Sequence, residues 1–232
     1  MSKAGKRFRK LEEQVDSTRL YPLNEAMELV KKTASTKFDE TVEVAVQLGI
    51  DARKSDQNVR GTAILPRGIG KTTRVAVFAT GTNAEAAKEA GADIVGFEDL
   101  VESVKKGEIE FDSCIAEPDA MKAVATVGRI LGPKGLMPNP KTGTVRTDIA
   151  EAVKEAKAGK VNFRIDRAGI VHCGIGKASF DEQALTENFH ELLRALKRAQ
   201  PPAAKGQYFR KVSLSTTMGP GVRVDATELA RT

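Results

Sequence analysis

The residues best equipped for chemistry in this chain are hydroxyls and cations set in alternating rows. Thr41 shares a row with Glu43 and Gln47, Asn162 with Arg164 and Asp166, and Lys211 with Ser213 and Ser215, with Thr217 following. Such groups suit phosphate oxygens and the ribose 2′-hydroxyl, and the latter separates RNA from DNA. One such row is what any solvated strand looks like; its repetition in three segments points to a polyanion. Thr217-Met-Gly-Pro-Gly221 adds a turn where missing side chains allow close backbone approach to a ligand; its plainer reading is the end of a strand.

Other constellations lead elsewhere. Gly68-Ile-Gly-Lys-Thr72 has some letters of a phosphate loop, but Leu65 stands where the motif needs a glycine, and a strand rather than a helix follows. It reads as a turn between segments. Gly132-Pro-Lys-Gly135 has the letters of a GxxG clamp, yet the stretch to Gly143 is rich in Pro and Gly instead of helical. A rigid structural loop is the first reading and a basic contact loop the second. His172 beside Cys173 and His190 beside Phe189 lack partners at metal-binding or catalytic spacing. With no paired carboxylates and no nucleophile elbow, neither an enzyme nor a cofactor or metal site is expected. A nucleotide-dependent enzyme and a protein-interaction module remain the competing classes.

The elements that position these groups follow from periodicity. Helices are expected over Pro22–Thr33, Asn83–Ala90, Glu98–Lys106, Pro118–Ile130 and Asp148–Ala158. A further helix after Asp181 carries Leu185, Phe189, Leu192, Leu193 and Leu196 in one stripe, and Asp181 is placed to cap it. Thr41–Leu48 alternates, with Val42, Val44, Val46 and Leu48 facing a core. Further strands are expected over Arg60–Leu65, Arg74–Ala79, Asp93–Phe97, Asp112–Ala116 and Gln207–Thr216. Val161, Phe163 and Ile165 share a strand face, with Ile170–Gly174 as the hairpin partner across Arg167-Ala-Gly169. Strand and helix alternate from Gly68 to Gly159, as a parallel sheet covered on both faces requires. The flanks could pair as one domain or stand apart; periodicity does not decide between them.

Charge follows the same division. Of 232 residues, 37 are Lys or Arg and 31 Asp or Glu, a formal net charge of +6. Residues 1–67 hold 13 basic and 10 acidic groups, residues 68–159 hold 12 and 14, and residues 160–232 hold 12 and 7. The positive footprint lies on the flanks. Aromatics are only 5%, with no Trp, so base stacking should matter less than phosphate, sugar and shape contacts. Cys114 and Cys173 are far apart and form no disulfide framework. No apolar run is long enough for a membrane span, and the basic stretch Lys3, Lys6, Arg7, Arg9 and Lys10 precedes no apolar segment. A reduced, cytoplasmic protein is expected.

Four segments carry a resemblance. Lys37-Phe-Asp-Glu-Thr-Val-Glu43, Gly49-Ile-Asp-Ala-Arg-Lys-Ser-Asp-Gln-Asn-Val-Arg-Gly61, Gly132-Pro-Lys-Gly-Leu-Met-Pro-Asn-Pro-Lys141 and Ser215-Thr-Thr-Met-Gly-Pro220 resemble the bacterial ribosomal protein L-one family, in order and over nearly the whole chain. The resemblance implies an α/β protein of two domains. One is a discontinuous α+β RNA-binding domain, a split sheet plus helices, from residues 1–67 and 160–232. The other is an inserted, Rossmann-like, three-layer α/β domain over 68–159. It implies a non-enzymatic protein that grips 23S rRNA in the mobile stalk of the large ribosomal subunit and moves with exit-site tRNA. It also implies repression of its own operon through the messenger RNA, contacts to other parts of the subunit, a monomeric free state and no membrane.

Carried over by position, the RNA surface would comprise Lys37, Phe38, Thr41, Ser213, Thr217, Met218 and Gly219, with Arg164 and Asp166 in a neighbouring strand. Lys211 and Ser215 join it from their row. Where the family commonly reads Phe-Arg-Asn-Asp-Lys, this chain has Phe163-Arg-Ile-Asp-Arg167. Ile165 lacks the polar contact an Asn would make and reads as core.

Overall fold

The computed structural model of the chain describes residues 5–226, so Lys3 of the basic N-terminal stretch lies outside the described residues. The elements in chain order begin with α1 (Lys6–Glu12), α2 (Leu23–Thr33), β1 (Thr41–Leu48), β2 (Arg60–Ile64), β3 (Val75–Phe78), α3 (Thr82–Glu89), β4 (Ile94–Gly96) and α4 (Glu98–Lys106). They continue with β5 (Ser113–Ala116), α5 (Met121–Thr126), α6 (Gly128–Leu131), α7 (Ile149–Lys157), β6 (Lys160–Arg164), β7 (Ile170–Lys177), α8 (Glu182–Arg198), β8 (Phe209–Thr216) and β9 (Val222–Val224). The chain divides into two compact units, one from residues up to Gly70 together with those from Val161 onward, the other from Lys71 to Lys160.

In the first unit β7, β1, β8 and β9 form an antiparallel sheet in that order, and β2 pairs with β6 separately. The even residues of β1 are buried and meet buried residues of β7 and β8: Val44 lies between Cys173 and Leu214, and Val46 between Val171 and Val212. This inner face is covered by the stripe Leu185, Phe189, Leu192, Leu193 and Leu196 of α8 and by Ala26, Met27 and Val30 of α2. Residues three and four apart on a helix share a face, so both helices bury one side and leave their charges in water. Asn188 interrupts the α8 stripe with a buried amide. Its Oδ1 accepts from Arg67 N at 3.0 Å, and its Nδ2 donates to Gly68 O at 2.9 Å and Ile175 O at 2.7 Å. Every polar atom of that amide has a partner, which is the condition for keeping it buried.

In the second unit β4, β3 and β5 form a parallel sheet. Alternate residues of β3 serve opposite cores: Ala76 and Phe78 pack with α4 and α5, while Val75 and Val77 pack with α3 and α7. Helices therefore cover both faces, as the unbroken apolar run Val75-Ala-Val-Phe78 requires. The Asp148 carboxylate accepts from Glu151 N at 3.3 Å and caps α7.

Three local expectations are corrected, and two elements are added. The Ile170–Gly174 segment is not the partner of the strand at Val161: β6 pairs with β2 and β7 with β1, and Ile165–Val171 is an isolated bridge. The chain does reverse at Arg167–Gly169, but Asp166 Oδ1 accepts Ala168 N and Ile170 N, both at 2.8 Å, and ends the pairing there. The helix expected over 118–130 is two short helices separated at Val127 (φ −100°, ψ 5°). Asp181 occupies the N-cap of α8 without a side-chain capping bond. The basic N-terminal stretch contains α1, and β9 extends the sheet beyond β8.

Phe189 is fully buried between α8 and the sheet. Phe189→Ala should lower unfolding free energy by about 3–5 kcal/mol, read from urea denaturation, because the cavity cannot collapse around the lost ring.

Candidate nucleic-acid interface

The site grows from the first residue before β1. Glu40 lies on the inward parity of that strand, one step ahead of Val42, and is only 1% exposed. Its Oε1 accepts Ser35 N at 3.0 Å and Thr36 N at 3.1 Å, and its Oε2 accepts Met218 N at 3.0 Å. One carboxylate thus joins the loop after α2 to the turn after β8, across 178 residues of sequence. Burial pushes the Glu40 carboxyl upward, but the Met218 and Thr36 hydrogen bonds outweigh it and hold the group below its ordinary 4.5.

Around that carboxylate the same two segments are tied again. Thr217 N donates to Thr41 O at 3.1 Å, and Thr217 Oγ1 accepts Thr41 N at 3.0 Å. Lys177 Nζ donates to Thr41 Oγ1 at 3.0 Å, and Asp39 accepts from Ser179 N and Oγ. Arg7 of α1 donates to Ser35 Oγ at 3.2 Å and to Met218 O at 3.3 Å. A Cβ on Gly219 would run into Thr216 Oγ1, so the turn closes only with glycine there. The result is a corner whose backbone is fixed from several sides. What it presents to solvent is Lys37, Phe38 (56% exposed), Thr217 and Met218 (48% exposed). Two large apolar side chains are thus held out on a polar margin.

From this corner the outward face of the sheet runs on in rows. Ser215 stands opposite Glu43, Ser213 opposite Ala45, and Lys211 opposite Gln47. His172 continues the Ala45 row on β7, and Arg223 continues the Ser213 row on β9. Lysine and hydroxyl donors can hold phosphates along these rows, and the Glu43 carboxylate can accept from a 2′-hydroxyl or base amine.

The structure therefore gathers Lys37, Phe38, Thr41, Thr217, Met218 and Gly219 at the corner, and it puts Ser215, Ser213 and Lys211 on the adjoining face. Arg164 and Asp166 are placed differently. Arg164 is exposed on β6, outside the four-stranded sheet. Asp166 is taken up by its own turn, its carboxyl lowered first by the Ile170 N–H bond; it meets β7 at Ile170 and, through Oδ2, lies 3.7 Å from His172 Nε2. Ile165 is buried, as its apolar side chain requires.

Sequence reasoning passed over Glu40, Arg7, Asp39 and Lys177. Glu40 left one legible sign, an acid on the buried parity of a strand; Arg7, Asp39 and Lys177 left none, since their partners are remote in sequence. In the second unit, Gly132–Gly143 is braced by Asn139: its backbone N donates to Thr144 Oγ1 at 2.8 Å, and its carbonyl accepts Thr142 Oγ1 at 3.0 Å. Gly132, Pro133, Lys134 and Gly135, at the start of this stretch, are exposed. The Lys71 ammonium that a phosphate loop would need is bound to Asp112 Oδ1 at 2.6 Å. Among the described residues no group of His, Cys, Asp and Glu could hold a metal. Cys114 and Cys173 are buried, and burial pushes both thiols up to about 12, which leaves them unreactive.

The comparisons with known proteins agree with one another. Residues 30–220 match the model of the Ribosomal protein L1p/L10e family. The chain belongs to this family. It is similar to the large ribosomal subunit protein uL1 of Neisseria meningitidis serogroup C, 59% identical over 229 residues and 99% of each chain. The protein of that name from Vibrio vulnificus is 62% identical over 225 residues and 97% of each chain. That from Methylobacillus flagellatus is 60% identical over 230 residues, 99% of this chain and all of the other. As a member, the chain is a ribosomal protein and not an enzyme. No helix among the described residues is long and apolar enough to cross a membrane.

Because the folded Glu40 carboxyl lies below its ordinary value, its stabilisation is complete above about pH 4.5 and is lost as acid protonates it. Glu40→Gln puts an amide donor against a backbone N–H and should cost about 1–3 kcal/mol at pH 7. Urea titrations of both proteins should show that difference shrinking as the pH falls below 4.5.

Proposed function

We propose that the protein is a component of the large ribosomal subunit that binds 23S rRNA through its first unit and forms the mobile stalk that assists release of deacylated tRNA from the exit site. The single observation that carries this reading is the corner organised by Glu40, where two segments remote in sequence present Lys37, Phe38, Thr41, Thr217, Met218 and Gly219 as one fixed surface. The uneven charge supports it, since residues 1–67 and 160–232 carry the excess of cations and the intervening stretch does not. Cations distributed over the flanks draw RNA in, and preset backbone and hydroxyl groups then select its shape.

The same surface serves a second RNA. We infer that the protein represses its own operon by binding a messenger segment that mimics the ribosomal site, because one rigid surface accepts any RNA that reproduces the shape it fits. The free protein in the cytoplasm would be monomeric and would partition between the two RNAs by affinity. Other parts of the large subunit and exit-site tRNA are its remaining partners.

Filter binding to a fragment of the 23S stalk tests the reading, with circular dichroism as a control on folding. Phe38→Ala and Thr217→Ala should each weaken binding about tenfold, on the order of 1–3 kcal/mol for a site contact. Unchanged affinity in both variants overturns the assignment of the corner. Binding of the unaltered protein should also fall steeply with salt, by a factor set by the number of phosphates neutralised; a flat response would exclude phosphate-dominated binding. An operon leader fragment should compete for the same protein, and absence of competition removes the repressor role.

A further inference from the structure

The outward face of the four-stranded sheet ends at β9 in a groove of about 140 Å³, whose lining includes Leu20, Arg210, Lys211, Ser213, Arg223 and Asp225. Arg210, Lys211 and Arg223 are all exposed, and none has an ion-pair partner among the described residues. Asp225 is the one acidic side chain on the lining, and it has a partner of its own. Some exposed cations of this unit are paired, as Arg67 is with Glu187 and Arg198 with Glu191, while others such as Arg60 and Lys197 have no ion-pair partner among the described residues; what sets Arg210, Lys211 and Arg223 apart is that the three line one groove. Three cations without an ion-pair partner among the described residues outnumber the single Asp225 carboxylate on the lining and leave the groove a net positive potential.

The register fixes how this groove relates to the corner. Arg223 stands opposite Ser213, and Lys211 lies two residues before Ser213 on β8, so the two cations are diagonal neighbours on the outward face. Such neighbours are about 7–8 Å apart at the backbone, within joint reach of one phosphate or two successive ones. Lys211 and Thr217 belong to the same run of chain, six residues apart, or about 20 Å at about 3.3 Å per residue. Groove and corner are thus two ends of one continuous face.

We propose that this groove is a second anchor for the same RNA, in which Lys211 and Arg223, supported by Arg210, hold backbone phosphates of a strand that runs across the sheet from the corner. This rests on the RNA-binding reading above and adds to it a division of labour. The corner selects the RNA by fixed donors, acceptors and apolar contacts. The groove adds affinity that is independent of sequence and fixes the direction in which the strand leaves the corner, because phosphate contacts position without reading bases.

The test is the salt dependence of binding to the 23S stalk fragment and to a duplex RNA of unrelated sequence. Lys211→Ala with Arg223→Ala should weaken binding to both RNAs at low salt, by at least tenfold, and reduce the slope of log affinity against log salt by about 1.5, close to two phosphates. The ratio of affinities for the two RNAs should stay constant. Thr217→Ala should do the reverse, lowering that ratio with the slope unchanged. Lys211→Arg with Arg223→Lys, which keeps both charges, should retain the original slope. Lys197→Ala, on the helix behind the sheet, should leave it unchanged. A double alanine variant with the original slope and affinity overturns the second anchor, as does an equal effect of Lys197→Ala. If the unaltered protein shows no preference for the stalk fragment, the functional reading itself fails; if it does and only the double variant is without effect, the groove alone is discarded.

Discussion

The exposed surface of the first unit depends on one buried carboxylate. Taking an ionised acid out of water is costly unless hydrogen bonds replace its hydration, and Glu40 recovers that cost from backbone N–H groups of Ser35, Thr36 and Met218. Those amides belong to two segments that could otherwise move independently. Because the charge is stable only with all of them in place, the acid makes the relative position of the two segments a condition of folding. A neutral side chain there would leave only the Thr41–Thr217 bonds and the Arg7 bridge between loop and turn, and a ligand would bear more of the entropy of ordering them.

Strand β1 supplies the frame. It lies between β7 and β8, so its two edges are paired with residues that enter the chain more than a hundred positions later. Loop closure over such distances costs only slightly more than over short ones, since the entropy grows with the logarithm of length. The return comes from an inner face where Val42, Val44, Val46 and Leu48 meet the stripes of α8 and α2. Once that face is packed, parity leaves the outward residues no choice: Ser213, Ser215 and Lys211 must share a surface with Glu43 and Gln47.

Legibility differed with the range of the interactions. The Thr41–Leu48 strand, the α8 stripe and the strand–helix alternation of the second unit were readable because each rests on contacts whose periodicity is written in neighbouring residues. The pairing of β6 was not readable. Turn residues between two strands suggest a hairpin, but the apolar face of β6 found β2, and the Asp166 turn closed before a ladder could form. The same turn draws Asp166 into its own backbone, so a polar residue on the right side of a strand became a structural group. The helix expected over 118–130 is broken at Val127, a break that propensity alone does not mark.

By itself the sequence determined the polar and apolar faces, the regional balance of charge and, through four motifs, the family. Side-chain alternation and net charge are sums over local residue types and need no coordinates. Only the tertiary structure decided which polar faces meet. It joined the rows of β1 and β8, left Arg164 on a separate sheet, and brought Arg7, Glu40 and Met218 together from distant parts of the chain. It also opened the groove beside Lys211 and Arg223, whose outlines appear in no periodicity. The physical reason is that hydrogen bonds and ion pairs act over a few ångströms of space regardless of sequence distance, so their partners are set by strand order and register.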